Sequence, residues 1–492
     1  MATVMDKKYE RMNKMYHIID AFGNDVLFQF NPVQKKLFYD LFDNNIILKS
    51  RQHGVTTFFC IFGLDAAIHV PNIRVGIIAH NLDDAEKFFR DKVKYAWDHV
   101  SEYCRIYRGL TAEQSSAKEL KFSNNSSIRV GTSMRSGTFN ILHISEFGKI
   151  CARFPEKAQE VVTGALNTVH SGALVSIEST AEGRGGYFYE YCQQAQKLEK
   201  SKADLTRLDF KFHFFPWWQD AKNTLSEPVI ISDRLQSYFQ DLLVKENIQL
   251  TDNQKAWYAK KEAILGDDMM REHPSTPDEA FHVSVEGAYF KSQFDRIYRD
   301  QRITTIDYDD ALPVHTAWDL GMSDQTCIWF YQKLGQSVAM IDYYANSGEG
   351  LPHYIQVLRD KNYNYGTHNG PHDLAVRDWS LGNKTRLQIA LQAGLRFMTV
   401  KKLPKEDQIE SARRFLGRCW FDDAKCRAGI DALENYRKEW DDSKGCWKDR
   451  PLHDWASHPA DAFMVAAVAA IPDEIEDRGI IEVLRTPAEA AF

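Results

Sequence analysis

Between Asn45 and Ser179 short apolar runs alternate with longer amphipathic ones: Ile46-Ile47-Leu48, then Phe58 to Ile68, then Val75 to Ala79, then Ala85 to Val100. A handful of apolar residues between polar flanks is too short to form a helix and reads as a strand covered on both faces. Apolar positions spaced three and four apart read as helices. Ser127 to Gly131, Ile141 to Ile144 and Ala173 to Ile177 continue the series, so this stretch predicts a five-stranded parallel α/β sheet.

The pattern changes after Phe210. Phe214-Phe215-Pro216-Trp217-Trp218 is followed by polar, helix-rich sequence to Arg271, and His273-Pro274-Ser275-Thr276-Pro277 reads as a loop because each proline fixes φ and removes a backbone donor. Val314 to Leu320, Thr326 to Tyr331 and Val338 to Tyr344 predict three consecutive strands in an antiparallel meander. A helix over Leu351 to Asp360, a strand ending near Ala375 and helices over Lys384 to Ala393 and Ala456 to Ala470 follow. The expected organisation is an α/β domain over 1–235, a helical linker subdomain and interdomain segment over 236–311, a mixed-sheet domain over 312–475 and a tail over 476–492.

A chain of 492 residues with 44% hydrophobic and 26% charged residues can bury two sizeable cores. A formal net charge of −7 argues against a protein that coats nucleic acid wholesale, but leaves room for a local basic groove. The eight cysteines form no C-x-x-C pair, which speaks against a zinc ribbon or disulfide framework and for a reducing compartment. Met1 to Asp20 is charged, and no later run reaches the length that spans a bilayer, so no membrane association is expected.

Two groups of residues carry chemistry. Lys49-Ser50-Arg51-Gln52-His53-Gly54-Val55-Thr56-Thr57 lies between a strand and an apolar helix, where helix N-terminal N–H groups face anionic oxygens. The usual G-x-x-x-x-G-K-[ST] pattern has lysine where Val55 stands, and a plain strand-to-helix turn with a capping threonine fits the loop alone. Its companions favour a nucleotide pocket. Gln34 upstream can read both edges of adenine. The apolar strand Ile141 to Ile144 ends in Ser145-Glu146, the place for a Mg²⁺-linked residue and a water-activating carboxylate. Another strand ends in Glu178-Ser179-Thr180, a polar tip facing the same crevice.

In this order the set resembles the ATPase domain of tailed-phage large terminases, many of which carry a deviant Walker A loop of the form basic-x-R-Q-x-G-x-T-T. The resemblance implies that Lys49 and Arg51 supply the phosphate charge, Thr56 the Mg²⁺-side hydroxyl, Glu146 the orientation of the attacking water, and Ser179-Thr180 the coupling to hydrolysis. Ser145 stands where that family usually has an aspartate, which weakens the expected hold on Mg²⁺. Arg135 is similar to the arginine before the Walker B strand and is a candidate trans-acting finger. The alternative for it is a surface arginine in a glycine-bearing loop.

The second group is acidic. Asp319 lies in the first strand of the meander, Asp373 follows at the tip of the fourth strand, and Asp461 stands at the start of an apolar helix. Three hard oxygen ligands from three elements suit Mg²⁺ or Mn²⁺. Asp324 and Asp378 are lesser rivals, explained equally well as turn caps. The β-β-β-α-β order, together with Pro451-Leu452-His453-Asp454-Trp455-Ala456-Ser457-His458-Pro459-Ala460-Asp461-Ala462-Phe463, resembles the RNase H-like nuclease domain of the same family. Lys401, Lys402, Lys405, Arg413, Arg414 and Arg418 form a basic cluster that suits a phosphate backbone or is simply a solvated face.

The resemblance spans about Phe30 to Ala470. It implies a P-loop NTPase-like domain followed by an RNase H-like one, with ATP and Mg²⁺ at the first site and Mg²⁺ or Mn²⁺ at the second. It also implies double-stranded DNA, a portal protein and a small terminase subunit as partners, and a homo-oligomeric ring on the portal. The expected location is the host cytoplasm and, transiently, the prohead, not the mature virion. Two other readings remain from the residues: a nucleotide-gated DNA-binding adaptor that does not hydrolyse, suggested by Val55 and Ser145, and a helicase-nuclease of DNA repair.

Overall fold

The computed structural model describes residues 4–102, 105–106, 109–134, 137–266, 268–281, 287–321, 325–375, 377–378, 384–392, 394–441, 444 and 446–470. The chain divides into two compact units between Val285 and Glu286. Both are α/β with a mixed sheet.

The first unit is built on eight strands: β1 (Asn44–Lys49), β2 (Arg74–Ile78), β3 (Ala112–Ser115), β4 (Glu119–Phe122), β5 (Ser127–Gly131), β6 (Phe139–Ser145), β7 (Val169–Ser179) and β8 (Phe210–Phe215). Their order is β8-β1-β7-β6-β2-β5-β4-β3. Every pairing from β8 to β5 is parallel, and β4 and β3 close one side antiparallel. The five expected strands are all present. β8 was not among the expected strands, although Phe210-Lys211-Phe212-His213-Phe214 alternates apolar and polar residues; it runs straight into Pro216, which is tolerated just past an edge strand.

Parallel pairing has one consequence for function: β1, β6 and β7 all end at the same edge of the sheet, in Lys49, Ser145 and Ser179. From that edge Gly54 opens helix α1 (Val55–His69), which is buried on nearly every side. Its one buried acid, Asp65, is held by Arg11 at 2.8 Å and the Tyr16 hydroxyl at 3.0 Å, which docks the N-terminal helix Val4–Met15. Further along, helices Asp233–Glu246 and Asp252–Leu265 pack around Trp217, whose indole donates to Ser275 Oγ at 2.9 Å.

The second unit holds β9 (Ile303–Thr304), β10 (Val314–Asp319), β11 (Gln325–Leu334), β12 (Ser337–Ser347), β13 (Tyr365–Gly370), β14 (Phe397–Thr399) and β15 (Cys419–Asp422). The order is β9-β15-β12-β11-β10-β13-β14. β10, β11 and β12 form the expected antiparallel meander, while β13 lies parallel to β10, β14 to β13 and β15 to β12. β13 ends at Gly370, earlier than the sequence suggests, and a 3-10 turn over His372–Ala375 follows it. Helix α2 (Ser457–Ala469) buries its apolar residues in the core on one face of this sheet, and Trp329 Nε1 donates to the Pro459 carbonyl at 2.9 Å.

Candidate functional site

In the first unit the loop after β1 is held by side-chain hydrogen bonds from Asn31 and Gln34. Gly54 has φ 71°, a left-handed conformation that glycine takes without strain. A Cβ there would stand 2.8 Å from Gln34 Nε2. Gln34 Nε2 donates to the Gly54 carbonyl at 2.9 Å, and Asn31 Nδ2 donates to the His53 carbonyl, also at 2.9 Å. Gln34 Oε1 accepts from the Asn31 N–H, completing a capping box. Gln34 is buried and braces the loop through both ends of its amide.

The other loop residues divide by role. Ser50 and His53 are buried and bonded to each other at 3.1 Å, and burial pulls the His53 pKa down. Val55 belongs to the apolar core. Gln52 is exposed with φ 68°. Thr56 and Thr57 occupy the first turn of α1, half-buried. Arg51 is paired with Glu272, which also receives Arg271 at 3.2 Å, so its charge is shared with an acid from the loop-covering segment of the same unit.

At the carboxyl edge the side chains converge on Glu178. Its carboxylate is fully buried. Oε1 accepts from Thr56 Oγ1 at 2.7 Å and from Ser145 Oγ at 2.8 Å, and Oε2 lies 3.0 Å from Lys49 Nζ. Burial opposes the charge on both partners, yet the pair wins: Glu178 is held below the ordinary carboxylate range and Lys49 above the ordinary lysine value. His143 lies 3.7 Å from Glu178, stacked on Phe59, and burial drives its pKa down to about 4. Lys49 Nζ also reaches Glu146 Oε1 at 3.4 Å. Glu146 itself is half-buried, with φ 55° at the N-terminus of helix Phe147–Arg153.

That helix leans on the tip of β7. A Cβ at Gly148 would meet the Thr180 carbonyl at 2.8 Å and Ser179 Oγ at 2.9 Å, and Thr180 is buried. The helix that follows Glu146 is thus in close contact with Ser179 and Thr180. Gly148→Ala is expected to cost about 1–3 kcal/mol through overpacking. A urea midpoint unchanged from wild type would refute the tight fit.

Sequence reading passed over Glu178 as part of a polar strand tip. The available signal was an acid following Val175-Ser176-Ile177 at the end of an apolar strand. Arg135 lies outside the described residues.

In the second unit Asp319 and Asp461 come together at the end of β10. Asp319 Oδ2 bonds His458 Nδ1 at 2.8 Å, and Asp461 Oδ1 accepts from Lys405 Nζ at 2.8 Å. Burial raises the Asp461 pKa; Asp319 raises it further, and Lys405 opposes the shift. The register Ala317↔Asn369 brings the turn carrying Asp373 beside the end of β10, although the side chains of Asp373 and Asp378 lie outside the described structure, as does all of Asp324. Below them, Asp454 is buried against Arg437 at 3.1 Å and accepts from the Ala456 N–H, fixing the start of α2. His453 packs edge-on against His458.

Lys405 holds a position that a divalent cation would contest. Lys405→Met is expected to tighten Mn²⁺ binding several-fold by removing the competing charge, read by calorimetry; unchanged or weaker binding would show that Lys405 does not compete. Affinity is expected to rise with pH as Asp461 loses its proton, since its pKa lies above the usual aspartate value. The rest of the basic cluster is partly committed. Arg413 and Arg414 approach Glu410, and Arg418 donates to the Gln336 carbonyl.

Comparison with known proteins gives fold neighbours. The chain is similar to phage large terminases. The HK97 bacteriophage large terminase matches with a TM-score of 0.44 at 12% identity, covering 95% of this chain and 99% of that one. The large terminase of the thermophilic bacteriophage D6E, also solved with ADP and with ATP-γ-S, matches with a TM-score of 0.32 at 13% identity, covering 90% of this chain and 100% of that one. The large terminase nuclease of thermophilic phage G20c, solved with bound cobalt, covers 37% of this chain and 97% of its own length, at 15% identity and a TM-score of 0.28. No family model and no curated protein matches the sequence. Among the described residues no helix is long and apolar enough to cross a membrane.

Proposed function

We propose that this chain is a DNA-packaging motor of the phage large-terminase type. Its first unit would hydrolyse ATP to drive double-stranded viral DNA into a prohead, and its second would cut concatemeric DNA with a divalent metal. The observation that carries this reading is the convergence of Lys49, Thr56 and Glu146, from a strand, a helix and a strand end, at the carboxyl edge of one parallel sheet. That edge is where open α/β sheets bind ligands. Lys49 supplies the charge Val55 cannot, the first turn of α1 presents N–H groups to phosphate, and Glu146 is placed to orient water.

The residues present suit a Mg²⁺-nucleotide: the Thr56 hydroxyl beside a buried carboxylate, itself held by Ser145, offers hard oxygens. Arg135 would act as the trans-acting finger in a homo-oligomeric ring, with a portal protein and a small terminase subunit as partners in the host cytoplasm. At the second site Asp319, Asp373 and Asp461 would hold Mg²⁺ or Mn²⁺, which would stabilise charge on the phosphodiester oxygens. His458 would keep Asp319 oriented.

Phosphate release from the full-length protein, with and without duplex DNA, tests the motor. DNA-stimulated release is expected; nucleotide binding without release would instead support the gated adaptor. Strand separation on a tailed duplex would favour a repair helicase. Nicking of supercoiled plasmid in Mn²⁺ but not in EDTA is expected of the second unit.

A further inference from the structure

We infer that Glu178 is the carboxylate that holds the divalent cation of the nucleotide, supplying from the neighbouring strand the acid that Ser145 lacks. This rests on the reading of the first unit as a nucleotide site. The two residues are directly paired in the parallel β6–β7 register, so their side chains leave the sheet on the same face. An acid moved from Ser145 to position 178 has therefore stepped sideways by one strand spacing and still faces Thr56.

The bonding pattern fits the transfer. One carboxylate oxygen takes both hydroxyl protons, from Thr56 and Ser145, while Oε2 takes no hydrogen bond and meets only the Lys49 ammonium among the contacts given for it. A fully buried carboxylate at a strand end is costly unless a cation answers it. Lys49 answers it here. With a Mg²⁺-nucleotide bound, Lys49 would answer the phosphates and Glu178 would hold the cation, whose chemistry is to neutralise phosphate charge. Ser145 then acts as the hydroxyl that fixes Oε1 and positions Glu178, not as a weak substitute ligand.

The competing account makes Glu178 only the structural counter-ion of Lys49. Affinity of the full-length protein for a fluorescent N-methylanthraniloyl ATP, measured in Mg²⁺ and in EDTA, separates the two. Glu178→Gln is expected to lose roughly 10–100-fold of the Mg²⁺-dependent tightening, read as the ratio of the affinities in Mg²⁺ and in EDTA so that any change in Lys49 itself divides out. The double variant Glu178→Gln, Ser145→Asp is expected to regain it. Glu178→Asp keeps the counter-charge for Lys49 but withdraws the oxygens by one methylene; it is expected to show a reduced Mg²⁺ effect in a folded protein and decides the matter should the glutamine variant not fold. Wild-type Mg²⁺ dependence in the Asp variant, or in Glu178→Gln, overturns this inference alone. Wild-type protein that binds no nucleotide in either condition overturns the nucleotide-site reading and this inference with it.

Discussion

Glu146→Gln is expected to slow ATP hydrolysis by about 10²–10⁴-fold, the usual contribution of a positioned general base, while nucleotide binding stays near wild type. The geometry explains why binding should survive. Glu146 is a half-buried second neighbour of Lys49 at 3.4 Å, whereas Glu178 at 3.0 Å keeps that lysine charged and in place. The backbone points the same way. Glu146 adopts φ 55°, ψ 42° without being glycine, a conformation that costs on the order of 1–3 kcal/mol and persists where the surroundings enforce it. Here the enforcing contact is the helix after Glu146, wedged through Gly148 against Ser179 and Thr180. Single-turnover hydrolysis and equilibrium binding, measured on the same preparation, check both halves. A rate within a few-fold of wild type would remove Glu146 from the chemistry.

Lys49→Met is expected to destabilise the first unit by about 3–5 kcal/mol at neutral pH, because it strands a buried carboxylate without its cation. The pH dependence carries the sign. In the wild type the Glu178 pKa is lowered from 4.5 to about 2, so its stabilisation is complete above 4.5 and is lost as pH falls toward 2. Without Lys49, burial dominates and raises that pKa. The penalty is then absent below the unfolded value and grows as pH rises through the new folded one. His143, held neutral with a pKa near 4, loses stability in acid in both proteins and largely cancels in the comparison. The gap between variant and wild type should therefore be widest near pH 7 and narrow below 4.5. Adding Glu178→Gln to Lys49→Met should recover much of the loss, since no charge then remains buried. Urea unfolding followed by tryptophan fluorescence at pH 7 and pH 4 measures all of this; a uniform loss at both values would place the effect of Lys49 in packing.

Much of the fold was legible because its strands are short apolar runs with few other ways to be buried. Ile46-Ile47-Leu48 and Ile141 to Ile144 could only be inner strands, and the meander from Val314 announced itself by turns between apolar runs. β8, β14 and β15 were not predicted: β8 alternates phenylalanines with Lys211 and His213 but runs straight into Pro216-Trp217-Trp218, and the others are only three or four residues long, too brief for a period to emerge. Among site residues, Lys49, Thr56 and Glu146 were visible from their places next to predicted strands. Gln34 shows how one residue type serves two readings: a glutamine three residues after an asparagine suits a helix cap as well as a base edge, and the structure shows the cap.

The sequence by itself determined most of the inner strands and the longer helices, the glycine-bearing turn before α1 and the candidate acids Asp319, Asp373 and Asp461. These are local properties, written as period, spacing and residue type. Only the tertiary structure decided which polar groups meet. Strand order placed β7 between β1 and β6, and that adjacency turned Glu178 from a polar strand tip into the partner of Lys49, Thr56 and Ser145. In the same way the helix that begins at Ser457 crossed back over β10 and delivered His458 and Asp461 to Asp319. Pairings between residues more than a hundred positions apart leave no trace in local pattern, because they follow from how the sheets are assembled.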